Sequence, residues 1–277
     1  MRYVSYRTGD QVRVGYLDDD VVVDAGFEGD MVAFIEAGAP LGQTRAVPAA
    51  TLVAPLRPRS LRDFLQFEGH LINALTRLGR DIPSEFFTTP AYYKGMPDTV
   101  IGPDVEIPWP AYTDRLDHEL ELAAVIGKPG KDITVENALE HVFGWTIWND
   151  MSARDTQVAE LPLGLGPGKA KDWDGSNVIG PCIVTPDEVD GLHLEMSVSV
   201  NGEEWGRENT ANMQFSFLEL IAYASQAQLL HPGDVLGSGT FTGGSGLELD
   251  RRLATGDVIE MTAAGLGTLR NAIGRKQ

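Results

Sequence analysis

In the stretch LDHELELAAVIG, Leu116 to Gly127, two glutamates stand two residues apart inside an otherwise apolar run. In a β-strand successive side chains alternate between faces, so Glu119 and Glu121 point the same way while Leu120 and Leu122 point the other. Two carboxylates on one face, roughly 7 Å apart or less, repel unless a cation stands between them, and burial adds a desolvation cost that drives one to protonate. The run therefore predicts either a solvated strand face, as many antiparallel strands have, or a positive charge close by. Two further acids stand at the ends of expected elements: Asp63 in LRDFLQFEGH and Asp150 at the close of GWTIWND. Four carboxylates without a thiolate cluster suit a hard cation such as Mg²⁺, Mn²⁺ or Ca²⁺, which takes oxygen ligands in six-fold or higher coordination.

The elements that must position these groups follow from periodicity. Phe64, Phe67, Leu71, Leu75 and Leu78 are at helical spacing, with Gly79 fit to end the helix and Asp63 at its start as an N-cap. His70 would sit about two turns along, where by itself it reads as an ordinary surface or core histidine. Thr134 can cap a helix whose first turn carries Glu136, although Asn137 leaves the capping box incomplete. GWTIWND reads as a buried strand, SFLELIAYASQAQLL as a helix, and most of the chain from Val178 onward as strands with glycine-containing turns. Residues 1 to about 55 read as short strands, followed by IEAGAPLGQTRAVPAATLVAPLRPRS, a Pro- and Ala-rich passage expected to be a linker. The domain expectation is a small N-terminal β-rich unit over residues 1–58 and a larger domain over 59–277. Many strands with few helices make the fold class α+β rather than a doubly wound sheet.

Composition bounds the partners. The chain has 277 residues and a net charge of −18, from 40 acidic against 22 basic residues, so a polyanion such as nucleic acid is repelled at long range. No apolar run is long enough to span a bilayer, and the N-terminus alternates like strands rather than resembling a signal peptide, which gives the expectation of a cytoplasmic protein without membrane partners. The single cysteine, Cys182, excludes an internal disulfide and a multi-thiolate zinc site. An acidic enzyme can still hold an anionic substrate if a cation reverses the field locally.

Several motifs fail. GSGTFTGGSG, Gly237 to Gly246, matches neither GxGxxG nor the P-loop, and the segment after it reads as a strand rather than a helix, which argues against nucleotide binding. Neither GxSxG nor HExxH occurs.

The segments LRDFLQFEGH, AYYKG, DHELELAAVIG, WNDMSARDTQ, GKAKDWDGSNVIGP, GSGTFTGG and GLEL, taken in this order, resemble the fumarylacetoacetate hydrolase family over roughly residues 60 to 275. The resemblance implies a β-rich mixed sandwich or roll, commonly dimeric, with a small N-terminal domain in many members. It implies a metal site of Glu119, Glu121 and Asp150 with Asp63 as an additional ligand, a water-activating His70 oriented by Glu248, and the family lysine at Lys171, with Lys169 as a rival. Tyr93, Arg154, Gln157 and Thr240 fall at substrate-contacting positions. Each has a plainer alternative: Arg154 paired with Asp155 or another acid, Gln157 on a helix surface, Tyr93 as a packed aromatic, Thr240 and Glu248 as strand residues. Leu65 departs from the pattern, standing where the namesake enzyme has a tyrosine. The implied activity is metal-dependent hydrolysis of a carbon–carbon bond in a 1,3-dicarbonyl acid such as an acylpyruvate, with Mg²⁺ or Mn²⁺ as cofactor. The alternative is decarboxylation, isomerisation or hydration of a 2-oxo acid on the same site.

Overall fold

The computed structural model describes residues 1–76, 79 and 81–277. Strands β1 (Arg2–Thr8), β2 (Gln11–Asp18) and β3 (Val21–Asp24) precede α1 (Met31–Glu36), and β4 (Arg45–Val47), β5 (Thr51–Val53) and β6 (Ser60–Phe64) lead to α2 (Glu68–Thr76). Then come β7 (Tyr92–Gly95), β8 (Val100–Ile101), β9 (Ile107–Trp109), β10 (Leu116–Asp117), β11 (Leu120–Ile126), β12 (Val142–Asp150), β13 (Ser152–Ala153) and α3 (Arg154–Glu160). The last part holds β14 (Asn177–Val184), β15 (Glu195–Val200), β16 (Glu203–Asn209), α4 (Phe217–Ala224), β17 (Asp234–Gly237), α5 (Gly246–Leu249), β18 (Val258–Ala263) and β19 (Gly267–Lys276).

A 12-stranded mixed sheet runs β4-β3-β2-β1-β14-β12-β11-β17-β6-β7, with β5 joined to β1 and β8 to β14. A 5-stranded sheet, β16-β15-β18-β19-β9, packs against its centre. Leu120, Leu122, Ala124 and Ile126 of β11 and Ile147 of β12 enter the main core with Met196 and Val198 of β15 and Met261 of β18. On the other face, Ala123, Val125, Trp148 and Val235 form a second core with Met31, Phe34 and Ile35 of α1. With both faces covered, every residue of β11 is buried, which overturns the solvated-face alternative for Glu121. The α+β expectation matches this sheet-dominated architecture.

Three local expectations change. Asp63 is no helix cap: it lies in β6, pairing in register with Gly237 of β17 on one side and Tyr93 of β7 on the other, and the helix begins only at Glu68. Phe64, counted among the helical positions, instead packs on Tyr92 with ring centroids 5.0 Å apart. Leu78, expected in the last turn, lies outside the described residues, as does Arg80; Gly79 has φ +64° and its N–H bonds back to the Thr76 carbonyl at 3.1 Å, as suits a helix end. The passage read as a linker begins in the last two residues of α1 and then contributes β4 and β5, the strands pairing with β3 and β1. The segment at Thr134 is a 3₁₀ turn, Val135–His141, without a side-chain cap bond. By contrast α4 has a full capping box, Ser216 with Glu219.

Candidate metal centre and active site

The strand pairings bring the four acids toward one end of the central sheet. Asp63 ends near the β6–β17 junction, Asp150 closes β12, Glu121 opens β11, and Glu119 immediately precedes that strand. Gly237 is what lets them converge: a Cβ there would meet Glu121 Oε2 at 2.7 Å and the Trp148 ring at 2.6 Å. The glycine-rich stretch therefore makes room for a carboxylate, and the turn of helix after it, α5, corrects the expectation of a strand there.

Asp63, Glu121 and Asp150 place one carboxylate oxygen each within 4.8 Å of one another, all three side chains buried. Among the described residues neither oxygen of Glu121 receives a hydrogen bond, nor does Oδ1 of Asp150. Buried anionic oxygens without donors are costly, so the cluster in isolation must hold protons. Burial, and then the Asp150 charge, push Asp63 up to about 8. Burial followed by Asp63 drives Glu121 well above the usual carboxylate range, and burial also raises Asp150 against the pull of Lys171. Three buried oxygen donors with unused lone pairs fit a hard divalent cation, which would replace those protons and satisfy the orphaned atoms.

Glu119 is built differently. It turns from the other three acids to Lys171, whose Nζ bridges Glu119 Oε2 and Asp150 Oδ2, and its Oε1 lies 2.7 Å from Arg154 Nη1. Burial alone would raise its pKa, but the two cations outweigh burial and hold Glu119 far below the ordinary range. Lys171 stays charged for the reciprocal reason: desolvation disfavours its ammonium, and Asp150 and Glu119 more than reverse that. The rival Lys169 is exposed, bonded to the Asp172 carbonyl and stacked over Tyr112, away from the acids.

His70 and Glu248, 178 positions apart by numbering, meet: Nδ1 of His70 lies 2.9 Å from Glu248 Oε2. Helix α2 presents His70 and, one turn on, Asn73, whose Nδ2 donates to Glu248 Oε1 at 3.1 Å. The Gly243 N–H and the Ser245 hydroxyl also donate to this carboxylate, at 2.8 and 2.9 Å. Burial tends to raise Glu248, but His70 and these donors keep it lowered and ionised.

A cleft of about 320 Å³ opens over this floor. Asp63, His70, Tyr93, Glu119, Gln157, Lys171 and Thr240 line it, and Phe64, Leu65, Tyr92, Leu161 and Pro167 form apolar walls. Tyr93 donates to Asp150 Oδ2 at 2.5 Å, and burial, with Asp150 next, keeps its phenol protonated. Arg154 does not reach the cleft: Nε donates to Asp117 Oδ2 at 2.8 Å and Nη1 to Gln157 Oε1 at 3.0 Å. Sequence reasoning singled out neither Asp117 nor Asn73. Asp117 carried a signal, since it continues the alternation of Glu119 and Glu121; Asn73 carried only its one-turn offset from His70.

Comparison with known proteins agrees with this geometry. Residues 61–274 match the family model described as fumarylacetoacetate hydrolase C-terminal. A Bacillus subtilis protein named oxaloacetate tautomerase YisK is 37% identical over 197 residues, 70% of this chain and 63% of that protein. Among solved structures, a fumarylacetoacetate hydrolase from Exiguobacterium antarcticum superposes over the whole of both chains with TM-score 0.84 at 27% identity. A 5-carboxymethyl-2-hydroxymuconate delta-isomerase from Mycobacterium smegmatis does so with TM-score 0.81 at 29% identity. No helix among the described residues is long and apolar enough to cross a membrane. With its motifs gathered at one sheet end and the model matched over nearly all of that region, the chain belongs to the fumarylacetoacetate hydrolase family.

Proposed function

We propose that the protein is a divalent-metal-dependent hydrolase that cleaves a carbon–carbon bond in a 1,3-dicarbonyl acid of the acylpyruvate type. The observation that carries this reading is the 2.9 Å approach of His70 to Glu248 beside a cleft lined by Asp63, whose carboxylate is clustered with the donor-poor Glu121 and Asp150. Asp63, Glu121 and Asp150 would hold the cation, Mg²⁺ or Mn²⁺, with Glu119 beside them, and the cation would supply orientation and Lewis-acid polarisation of the dicarbonyl.

The chain's own groups do the rest. Glu248 holds the Nδ1 proton of His70, leaving Nε2 to accept a proton from water. The water oxygen bonds to the acyl carbonyl carbon, the carbon–carbon bond breaks, and its electron pair leaves with the 2-oxo acid fragment. His70 then returns the proton to that carbon, so the products are a carboxylic acid and a 2-oxo acid. Lys171, held protonated, serves as a donor to developing negative charge rather than as a base. Gln157 has its carbonyl oxygen engaged by Arg154, which presents its amide nitrogen for the same purpose. Thr240 supplies a hydroxyl for the substrate carboxylate, and the apolar walls receive the acyl group.

A second reading has a specific support, the 37% identical relative named as an oxaloacetate tautomerase. Here His70 would only move a proton between carbon and oxygen, and no water would attack. Loss of ultraviolet absorbance by acetylpyruvate and by the enol of oxaloacetate, with Mg²⁺ or with chelator, separates the two. Metal-dependent acetylpyruvate cleavage that disappears in His70→Ala supports the hydrolase. Conversion of enol-oxaloacetate alone replaces it with the tautomerase, and turnover of neither, with or without metal, overturns both.

A further inference from the structure

Asp117 closes β10, two residues before Glu119, and is 4% exposed. Its two oxygens gather four hydrogen-bond donors. Oδ2 accepts from Arg154 Nε at 2.8 Å on one side, with Nη2 of the same guanidinium in ion-pair contact at 2.8 Å. On the other side Oδ1 accepts from the Gly246 N–H at 2.9 Å and Oδ2 from the Leu247 N–H at 3.0 Å. Its own neighbour, the His118 N–H, adds a bond at 3.0 Å.

The two directions lead to the two halves of the site. Arg154 passes the contact to Glu119, 2.7 Å from its Nη1, and Glu119 in turn holds Lys171 against Asp150. Gly246 and Leu247 open α5, the turn that carries Glu248 to His70. Gly246 fits this role closely: a Cβ there would stand 2.7 Å from Asp117 Oδ1, so any other residue would push α5 from the carboxylate. Glu119 is shared between Arg154 and Lys171, so Asp117 helps to balance the buried arginine, but charge balance alone does not call for its grip on the amides of a second element.

We propose that Asp117 is a positioning residue that registers the cation-holding half of the site, through Arg154 and Glu119, against the His70–Glu248 half, through α5. This rests on the reading of those halves given above, and its test uses readouts that need no substrate. Mn²⁺ affinity of the full-length protein, measured by calorimetry after chelator treatment, reports one half. The His70 Nδ1 proton resonance in NMR reports the other.

Asp117→Asn keeps the shape and loses one acceptor, and it is expected to weaken Mn²⁺ about tenfold, within the range found for groups that hold metal ligands, and to shift or broaden the His70 resonance. Asp117→Glu keeps the charge on a longer arm and is expected to show both defects. Gly246→Ala changes no charge and is expected to disturb the His70 resonance while Mn²⁺ affinity stays within twofold. Wild-type behaviour of Asp117→Glu in both readouts would reduce Asp117 to charge balance and overturn the proposal. An undisturbed His70 resonance in folded Gly246→Ala would overturn it too, and that variant decides the matter should Asp117→Asn fail to fold. If wild type binds Mn²⁺ but turns over neither test substrate, the functional reading fails while the positioning result stands.

Discussion

Two buried acidic sites in this molecule are built to opposite specifications. Asp24, in the N-terminal strands, is 2% exposed and fully served: Arg13 Nε donates at 2.6 Å, the Gly26 N–H at 2.7 Å, and the Tyr6 hydroxyl also donates to it. Arg13, opposed by burial and assisted by Tyr6, lowers its pKa to about 2. Asp63, Glu121 and Asp150 are as deeply buried, yet the oxygens of Glu121 lack donors and burial raises all three. The first arrangement contributes stability by itself. The second is unfavourable until something positive arrives, and such local sacrifice is the mark of a binding site. Glu119 and Glu121, two residues apart, repeat the contrast in miniature, one held by two cations and the other by none.

The contrast can be broken at four places. The largest effect is expected from Glu121→Gln, which should abolish turnover and weaken Mn²⁺ binding by calorimetry by at least the ~100-fold that loss of an outer ligand-holding group can cost. Next, His70→Ala should lower kcat by about 10²- to 10⁴-fold while leaving Mn²⁺ affinity intact, since it removes a proton carrier and no cation ligand. Asp24→Asn should cost about 2 kcal/mol in urea unfolding, equally with and without metal, because it strips charge from a site that needs none added. The pH dependence has a definite sign. Because the folded pKa of Asp24 lies below the ordinary carboxylate value, its contribution is complete above about pH 4 and is lost as pH falls toward about 2, so urea stability of wild type and Asp24→Asn should converge there. The smallest effect belongs to Asn73→Ala, about tenfold in kcat, the worth of one hydrogen bond of about 1.5 kcal/mol to the ionised Glu248.

What could be read in advance divides along the range of the interactions. Alternation in DHELEL put Glu119 and Glu121 on one face without any knowledge of partners, since the two-residue period is local. Which glutamate would be compensated was not readable: Lys171 lies 52 positions from Glu119, and only the loop after α3 brings it back. Asp63 was misplaced for a related reason. Its neighbours have helical spacing, but the partners that make Ser60–Phe64 a strand are β17 and β7, one of them far along the chain. The Pro- and Ala-rich passage similarly yields two short strands because β1 and β3 offer them free edges. Asp117 stands in the same LDHELEL stretch, yet its partners include the amides of Gly246 and Leu247, 129 and 130 positions away. The pairing of His70 with Glu248 followed from motif resemblance, as neither residue's local context points to the other.

The most direct test of the uncompensated acid cluster is its effect on stability with the cation removed. Melting temperatures of wild type and Glu121→Gln, each with excess chelator and with Mn²⁺ at about 100 times its dissociation constant, should cross. Wild type should gain roughly 2.7 kcal/mol from the cation, while Glu121→Gln should melt above wild type in chelator, because it no longer buries an acid that must take up a proton to fold, and respond little to Mn²⁺. A Glu121→Gln protein that melts below wild type in chelator and still gains the same stability from Mn²⁺ would contradict the account, placing the cation elsewhere and making Glu121 a structural acid like Asp24.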